Sequence, residues 1–151
     1  MKVLTLIGDG RRGKSTTIKL LYSLLLIEGF EQVSGSFWHF GKTNRGDLRG
    51  ILTWKGILIG INSRGDEEEL VVEDLNKFKN DGCQIVICAM RSKMVASVEK
   101  QFESMGVLQK NAAKGIRKDV EFDNSRMYAE CHLKNAKDAR ELLEMLLVEL
   151  K

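Results

Sequence analysis

The residues from Val3 to Thr16 read VLTLIGDGRRGKST, and this stretch decides the fold. Its first five residues are aliphatic or β-branched, as in a buried strand. The glycines that follow permit backbone conformations closed to other residues, and from Thr16 onward the pattern is that of a helix. The stretch therefore predicts a strand, a glycine-rich turn and a helix in direct succession.

The turn carries the spacing G-x-x-x-x-G-K-S from Gly8 to Ser15. In a turn of this kind, successive backbone N–H groups and the start of the helix point at a common anion. Residues 8 to 15 resemble the Walker A loop of the P-loop NTPase superfamily. The resemblance implies that Lys14 reaches the β- and γ-phosphate oxygens of a nucleoside triphosphate and that the Ser15 hydroxyl is a ligand of Mg²⁺.

The same resemblance implies a nucleotide site along the whole loop, with ATP or another nucleoside triphosphate and Mg²⁺ as its ligands. Its expected binding residues are Gly8, Asp9, Gly10, Arg11, Arg12, Gly13, Lys14, Ser15 and Thr16. The two arginines are unusual inside such a loop, and a guanidinium there, with Arg12 the first candidate, can stabilise charge on the γ-phosphate during transfer. Alternatively, both arginines point into solvent, because the phosphate cradle is built from backbone.

Composition limits the class of protein. A chain of 151 residues with 43% hydrophobic content suits one globular domain with a sizeable core. Its 24 basic and 21 acidic side chains are spread along the chain, a balance that gives no sign of nucleic-acid or anionic-membrane binding. The longest apolar run, 20–27, is too short to span a bilayer. We therefore expect a cytoplasmic protein.

Apolar patterns predict alternating strands and helices after the loop. The predicted helices are 15–28, 66–80, 93–104 and 136–150, the last capped by Asn135, and the predicted strands are 32–40, 51–54, 57–61, 84–90 and 127–133. Segments 41–47 and 106–124 are polar. This order predicts an α/β, three-layer P-loop NTPase fold, with a mostly parallel sheet, helices on both faces and an antiparallel edge hairpin.

A P-loop also needs a carboxylate that holds the Mg²⁺ shell, and no strand here ends in the family's pattern of four apolar residues and Asp. The best substitute is Asp66, which follows a strand and a glycine and is predicted as a metal ligand or a water-positioning catalytic residue beside Lys14. Its competing interpretation is a capping box with Glu69 at the start of a helix.

The segment around Asp66 also resembles the switch region of small GTPases, where a hairpin leads into D-x-x-G and a helix. Residues 62–65, Asn-Ser-Arg-Gly, stand in the D-x-x-G position, and Asp66 falls where those enzymes orient water. The guanine-reading N-K-x-D pattern is missing after the next apolar strand, so the resemblance implies no preference for guanine.

Three classes of function remain open. One is a small P-loop kinase that transfers the γ-phosphoryl group to a nucleoside, nucleotide or metabolite, and the basic residues at 91, 93, 117, 118 and 126 favour an anionic second substrate of this kind. The switch-like segment favours an NTPase that works with a protein partner, and this is the preferred interpretation. The missing family carboxylate leaves a third class, a module that binds nucleotide with little turnover.

Overall fold

A mixed sheet with helices on both faces forms the framework of the computed structural model, which describes residues 1–10, 13–41, 46–104, 106, 114–118 and 128–151. Its strands are β1 (Lys2–Ile7), β2 (Glu31–Gln32), β3 (Trp38–Phe40), β4 (Asp47–Trp54), β5 (Ile57–Asn62), β6 (Ile85–Met90) and β7 (Lys114–Arg117). Its helices are α1 (Lys14–Ile27), α2 (Glu68–Asn80), α3 (Val95–Ser104) and α4 (Tyr128–Glu149), with a single 3₁₀ turn at Ser92–Met94. None of the helices in these ranges is long and apolar enough to cross a membrane.

The first strand, β1, pairs in parallel with β6 on one side and with the edge strand β7 on the other. Beyond β6 lies β5, also parallel, and β4 then pairs antiparallel with β5 through a tight turn at Lys55 and Gly56, both of positive φ. The short strands β2 and β3 share the outer edge of β4. The α/β class and the antiparallel hairpin are thus confirmed.

Two apolar clusters cover opposite faces of the sheet, as the alternating pleat of β1 requires. Leu4 and Leu6 pack on one face with residues of α1 and α4, whereas Val3 packs on the other face with residues of α2 and α3. The arrangement has three layers: helix, sheet and helix.

The C-terminal part differs from the sequence prediction. The strand predicted at 127–133 is wrong, because α4 begins at Tyr128, and Asn135 lies buried inside that helix instead of capping it. A strand there would need a buried alternating face, yet Leu133 is exposed. The last strand is instead β7, inside the segment expected to be polar, where Ile116 provides its buried side chain.

The predicted strand 32–40 is also wrong as a single element, because a turn separates β2 from β3. In this gap the Ser36 hydroxyl accepts a bond from Ile51 N at 3.1 Å and lies 3.1 Å from Ile51 O. The side chain thereby replaces the backbone pairing that an unbroken strand would make with β4.

The carboxyl ends of the parallel strands β1, β5 and β6 lie at the same end of the sheet, and the three segments that follow these strands meet there. The chain leaves the carboxyl end of β1 toward α1 on one face, whereas it leaves β6 toward α3 on the opposite face. Adjacent strands whose connections diverge in this way create a crevice, which is where α/β sheets bind their ligands.

Candidate phosphate-binding site

The loop after β1 opens this crevice and leads directly into α1. Gly8 N donates to Met90 O at 3.1 Å, which ties the loop to the end of β6. Gly13 precedes the helix with φ 74°, a left-handed conformation that favours glycine, and no side chain caps α1 there. The first N–H groups of the helix are therefore available to an anion.

Lys14 lies against this loop. Its side chain is only 7% exposed, and Nζ donates to Asp9 O at 2.8 Å. Burial lowers the pKa of Lys14, while the negative charges of Asp66, Asp9 and Asp47 act in the opposite direction. Lys14 thus lies against the loop, where its ammonium is bonded to the carbonyl oxygen of Asp9.

The Ser15 hydroxyl contacts a carboxylate that sequence reasoning missed. Ser15 Oγ and Ser63 Oγ each donate to Asp47 Oδ1 at 2.8 Å. Asp47 is the first residue of β4, whereas the sequence pattern places it in the polar segment 41–47. The buried Leu48 that follows it is a signal that the strand begins before Ile51.

Ser63 holds β4 and the segment after β5 in register. Leu48 N donates to Ser63 Oγ, and Ser63 N donates to Leu48 O, both at 2.9 Å. These bonds extend the hairpin ladder by one step and thereby bring Asp47 to Ser15.

Asp66 binds Arg91 and does not cap α2. The helix begins after Glu67, whose side chain makes no capping bond, while Asp66 Oδ1 accepts a bond from Arg91 Nε at 2.9 Å. This bond lowers the pKa of Asp66; burial opposes it, and the charges of Arg91 and Lys14 lower the pKa further. The capping-box interpretation therefore lacks support.

Gly65 brings Asp66 close to β6. A Cβ atom at Gly65 would lie 2.5 Å from Ala89 C and O, closer than real Cβ atoms come, and Arg91 N donates to Gly65 O at 3.1 Å. Only glycine permits this approach, so the Asn-Ser-Arg-Gly segment has a structural reason for its last residue.

A buried carboxylate of α2 binds the segment that connects β5 to α2. Asp74 in α2 is fully buried and accepts bonds from Asn62 Nδ2 at 3.0 Å and from Arg64 Nη2 at 2.6 Å. The Arg64 guanidinium also lies 4.2 Å from the centre of the Phe40 ring, at the end of β3. The segment between β5 and α2 is therefore held on both sides.

The remaining predicted residues divide into described and undescribed ones. Arg11, Arg12 and Arg126 lie outside the described residues, while Asp9, Gly10 and Thr16 are exposed. Lys118, considered above as a contact for an anionic substrate, is 4% exposed and donates to Asp138 Oδ2 at 2.6 Å. Burial of its charge beside a carboxylate argues against the substrate-binding role.

The chemistry of the donor set fits Mg²⁺. In the described ranges no group of three or more His, Cys, Asp and Glu side chains could hold a metal ion. Mg²⁺ does not need such a group, since it is usually bound through one or two carboxylates together with substrate phosphates and water. Ser15 and Asp47 supply the hydroxyl and the carboxylate, whereas Asp66 lies with Arg91.

Comparisons of this chain with protein-family models, with curated proteins and with solved structures found no match.

Proposed function

We propose that this protein binds ATP or another nucleoside triphosphate together with Mg²⁺ and hydrolyses its β–γ bond. The observation that carries the proposal is the contact between Ser15 and Asp47, 2.8 Å apart beside the buried Lys14. It supplies the carboxylate that the sequence lacked in the family's usual place. The P-loop NTPase fold is part of this proposal.

Each group at the crevice has a part in this proposal. The N–H groups at the start of α1 and the Lys14 ammonium bind the phosphates, because both present positive charge at the carboxyl end of β1. Ser15 and Asp47 would hold Mg²⁺, which supplies neutralisation of phosphate charge when bound. Asp66 lies on the opposite side of the crevice, at the end of the neighbouring segment, and is the candidate for orienting water.

Water is preferred over a second substrate as the phosphoryl acceptor because Lys118, one of the basic residues that suggested a kinase, is buried against Asp138 and is therefore not accessible to a substrate. The segment from Ser63 to Asp66, in contrast, lies directly beside residues 8–15, the proposed phosphate loop.

The substitution Asp47→Asn tests the proposal. Asparagine still accepts hydrogen bonds from Ser15 and Ser63 but carries no charge, so the gain in ATP affinity caused by Mg²⁺ should fall by about tenfold or more. Affinity is measured by calorimetry with Mg²⁺ and with EDTA. Asp81→Asn, at the end of α2, is the matched control and should keep the full Mg²⁺ effect.

In the same experiment, titration of the parent protein tests whether it binds a nucleoside triphosphate at all. If it binds no nucleoside triphosphate with or without Mg²⁺, the proposed function is wrong. If it binds ATP and Asp47→Asn responds to Mg²⁺ as the parent does, nucleotide binding stands and the role of Asp47 is wrong.

A further inference from the structure

The Asp66 carboxylate is bonded to Arg91 and interacts electrostatically with Lys14. Arg91 donates to it at 2.9 Å, and among the charged groups around Lys14, Asp66 has the largest effect on the pKa of that lysine. The same carboxylate thus stabilises the positive charges of Arg91, which follows β6, and of Lys14, which begins α1.

Arg91 also faces the loop itself. Arg91 Nη2 lies 3.8 Å from the position that a Cβ atom of Gly10 would occupy, so the guanidinium lies beside the loop at Gly10. Asp9 precedes Gly10, and its carbonyl oxygen accepts the Lys14 bond. Arg91, which follows β6, and Lys14, which begins α1, therefore both lie beside the turn at Asp9 and Gly10.

The pair of Asp66 and Arg91 is open to water. Their side chains are 63% and 34% exposed, and an ion pair this exposed contributes little to stability. A phosphate group offers a guanidinium two parallel charge-assisted bonds and carries more negative charge than a carboxylate. A phosphate that reached Arg91 would therefore displace Asp66 readily.

We infer that Asp66 occupies the place of the terminal phosphate in the nucleotide-free protein, and that Arg91 exchanges Asp66 for the γ-phosphate when a triphosphate binds. This inference rests on the proposed function. A diphosphate lacks the third phosphate and leaves the pair of Asp66 and Arg91 intact. The exchange therefore gives the site a preference for triphosphate over diphosphate, and it releases the Asp66 carboxylate only when the γ-phosphate is present.

The two partners should respond in opposite directions. Arg91→Ala removes a phosphate contact, so affinity for a non-hydrolysable ATP analogue should fall by about tenfold, while affinity for ADP changes by less than about threefold. Asp66→Asn removes the competing carboxylate, so affinity for the analogue should rise by about threefold or more and affinity for ADP should hardly change. Arg91→Lys should lie between the parent and Arg91→Ala.

The measurement is calorimetric titration of the full chain with the analogue and with ADP, both with Mg²⁺. Arg140→Ala, an exposed arginine on α4, controls for the loss of one positive charge and should match the parent. Thermal melting establishes that each variant is folded, and Arg91→Lys keeps the test informative should Arg91→Ala fail to fold.

Two results would overturn the inference while leaving the proposed function intact. In one, Arg91→Ala lowers the affinity for the analogue and the affinity for ADP by the same factor. In the other, Asp66→Asn lowers the affinity for the analogue, as Arg91→Ala does. A parent protein that binds neither ligand would instead remove the proposed function, and the inference with it.

Discussion

The carboxylate of Asp74, fully buried in α2, accepts bonds from Arg64 Nη2 at 2.6 Å and Arg64 Nε at 2.9 Å. Arg49 of β4 forms a second ion pair with the same carboxylate, at 3.7 Å. Arg64 is the neighbour of Ser63 and lies two residues before Asp66. The groups that stabilise this part of the core therefore also fix the candidate site.

Asp74→Asn should lower the free energy of unfolding by about 2 to 3 kcal/mol, because it removes the charge partner of Arg64 and one of the two carboxylates that pair with Arg49. The cost should be below that of a fully buried pair, since Arg49 and Arg64 keep some access to water. Chemical denaturation measures it. Glu73→Gln, an exposed neighbour in the same helix, is the control, and equal stability of the two variants would contradict the prediction.

Lys14→Ala should remove most of the affinity for ATP, by about a hundredfold or more, because its ammonium binds phosphate charge at close range. The fold should persist, since the side chain packs on the loop and lies in neither apolar cluster. Calorimetric titration and a melting curve give the two readouts. Lys100→Ala, exposed on α3, should bind as the parent does.

Asp66→Asn should lower turnover by about a hundredfold, the usual size of an effect on proton transfer or water orientation, with little change in the melting temperature. In the nucleotide-free protein the bond from Arg91 holds the pKa of Asp66 below its ordinary value, so the carboxylate is charged at neutral and mildly acidic pH. The pH profile of kcat/KM, which reports on the free enzyme, should thus show a constant contribution of Asp66 from about pH 5 to 8. Unchanged turnover in the variant would exclude the role.

With terminally labelled ATP and Mg²⁺, the protein alone should release label slowly and as inorganic phosphate, because a switch-like NTPase completes its site only with a partner. A panel of nucleosides, nucleoside monophosphates and small hydroxylated metabolites should receive no label. Transfer of label to one of them would establish a kinase instead. Tight binding without any release, even with cell extract, would favour the binding module.

Sequence reasoning predicted the elements that are long and apolar. The strand β1, the hairpin of β4 and β5, and β6 follow from local patterns, because their buried faces are visible in a few consecutive residues. The short β7 could not be predicted in the same way, since its one buried apolar residue, Ile116, gives no periodicity.

The residues of the candidate site also differ in whether a local pattern predicts them. Lys14 and Ser15 follow from the spacing of their own motif, whereas Asp47 meets Ser15 only through the pairing of β4 with β5. The bond between Asp66 and Arg91 likewise depends on the order of strands in the sheet, which places β5 next to β6. Contacts between distant segments of this kind leave no trace in a local pattern.

The position of β1 has a consequence for how the molecule folds. Its two neighbours come from far along the chain, since Lys2 pairs with Ile85 and Leu4 with Lys114. Pairings between distant residues form slowly, because the entropy of closing the long intervening loop must be lost before they stabilise anything. The hairpin of β4 and β5 needs no such closure and can form early. We therefore expect the crevice around the phosphate loop to form late. Nucleotide added during refolding should change neither the rate of hairpin formation nor the rate of collapse, because its proposed site exists only once β6 lies beside β1.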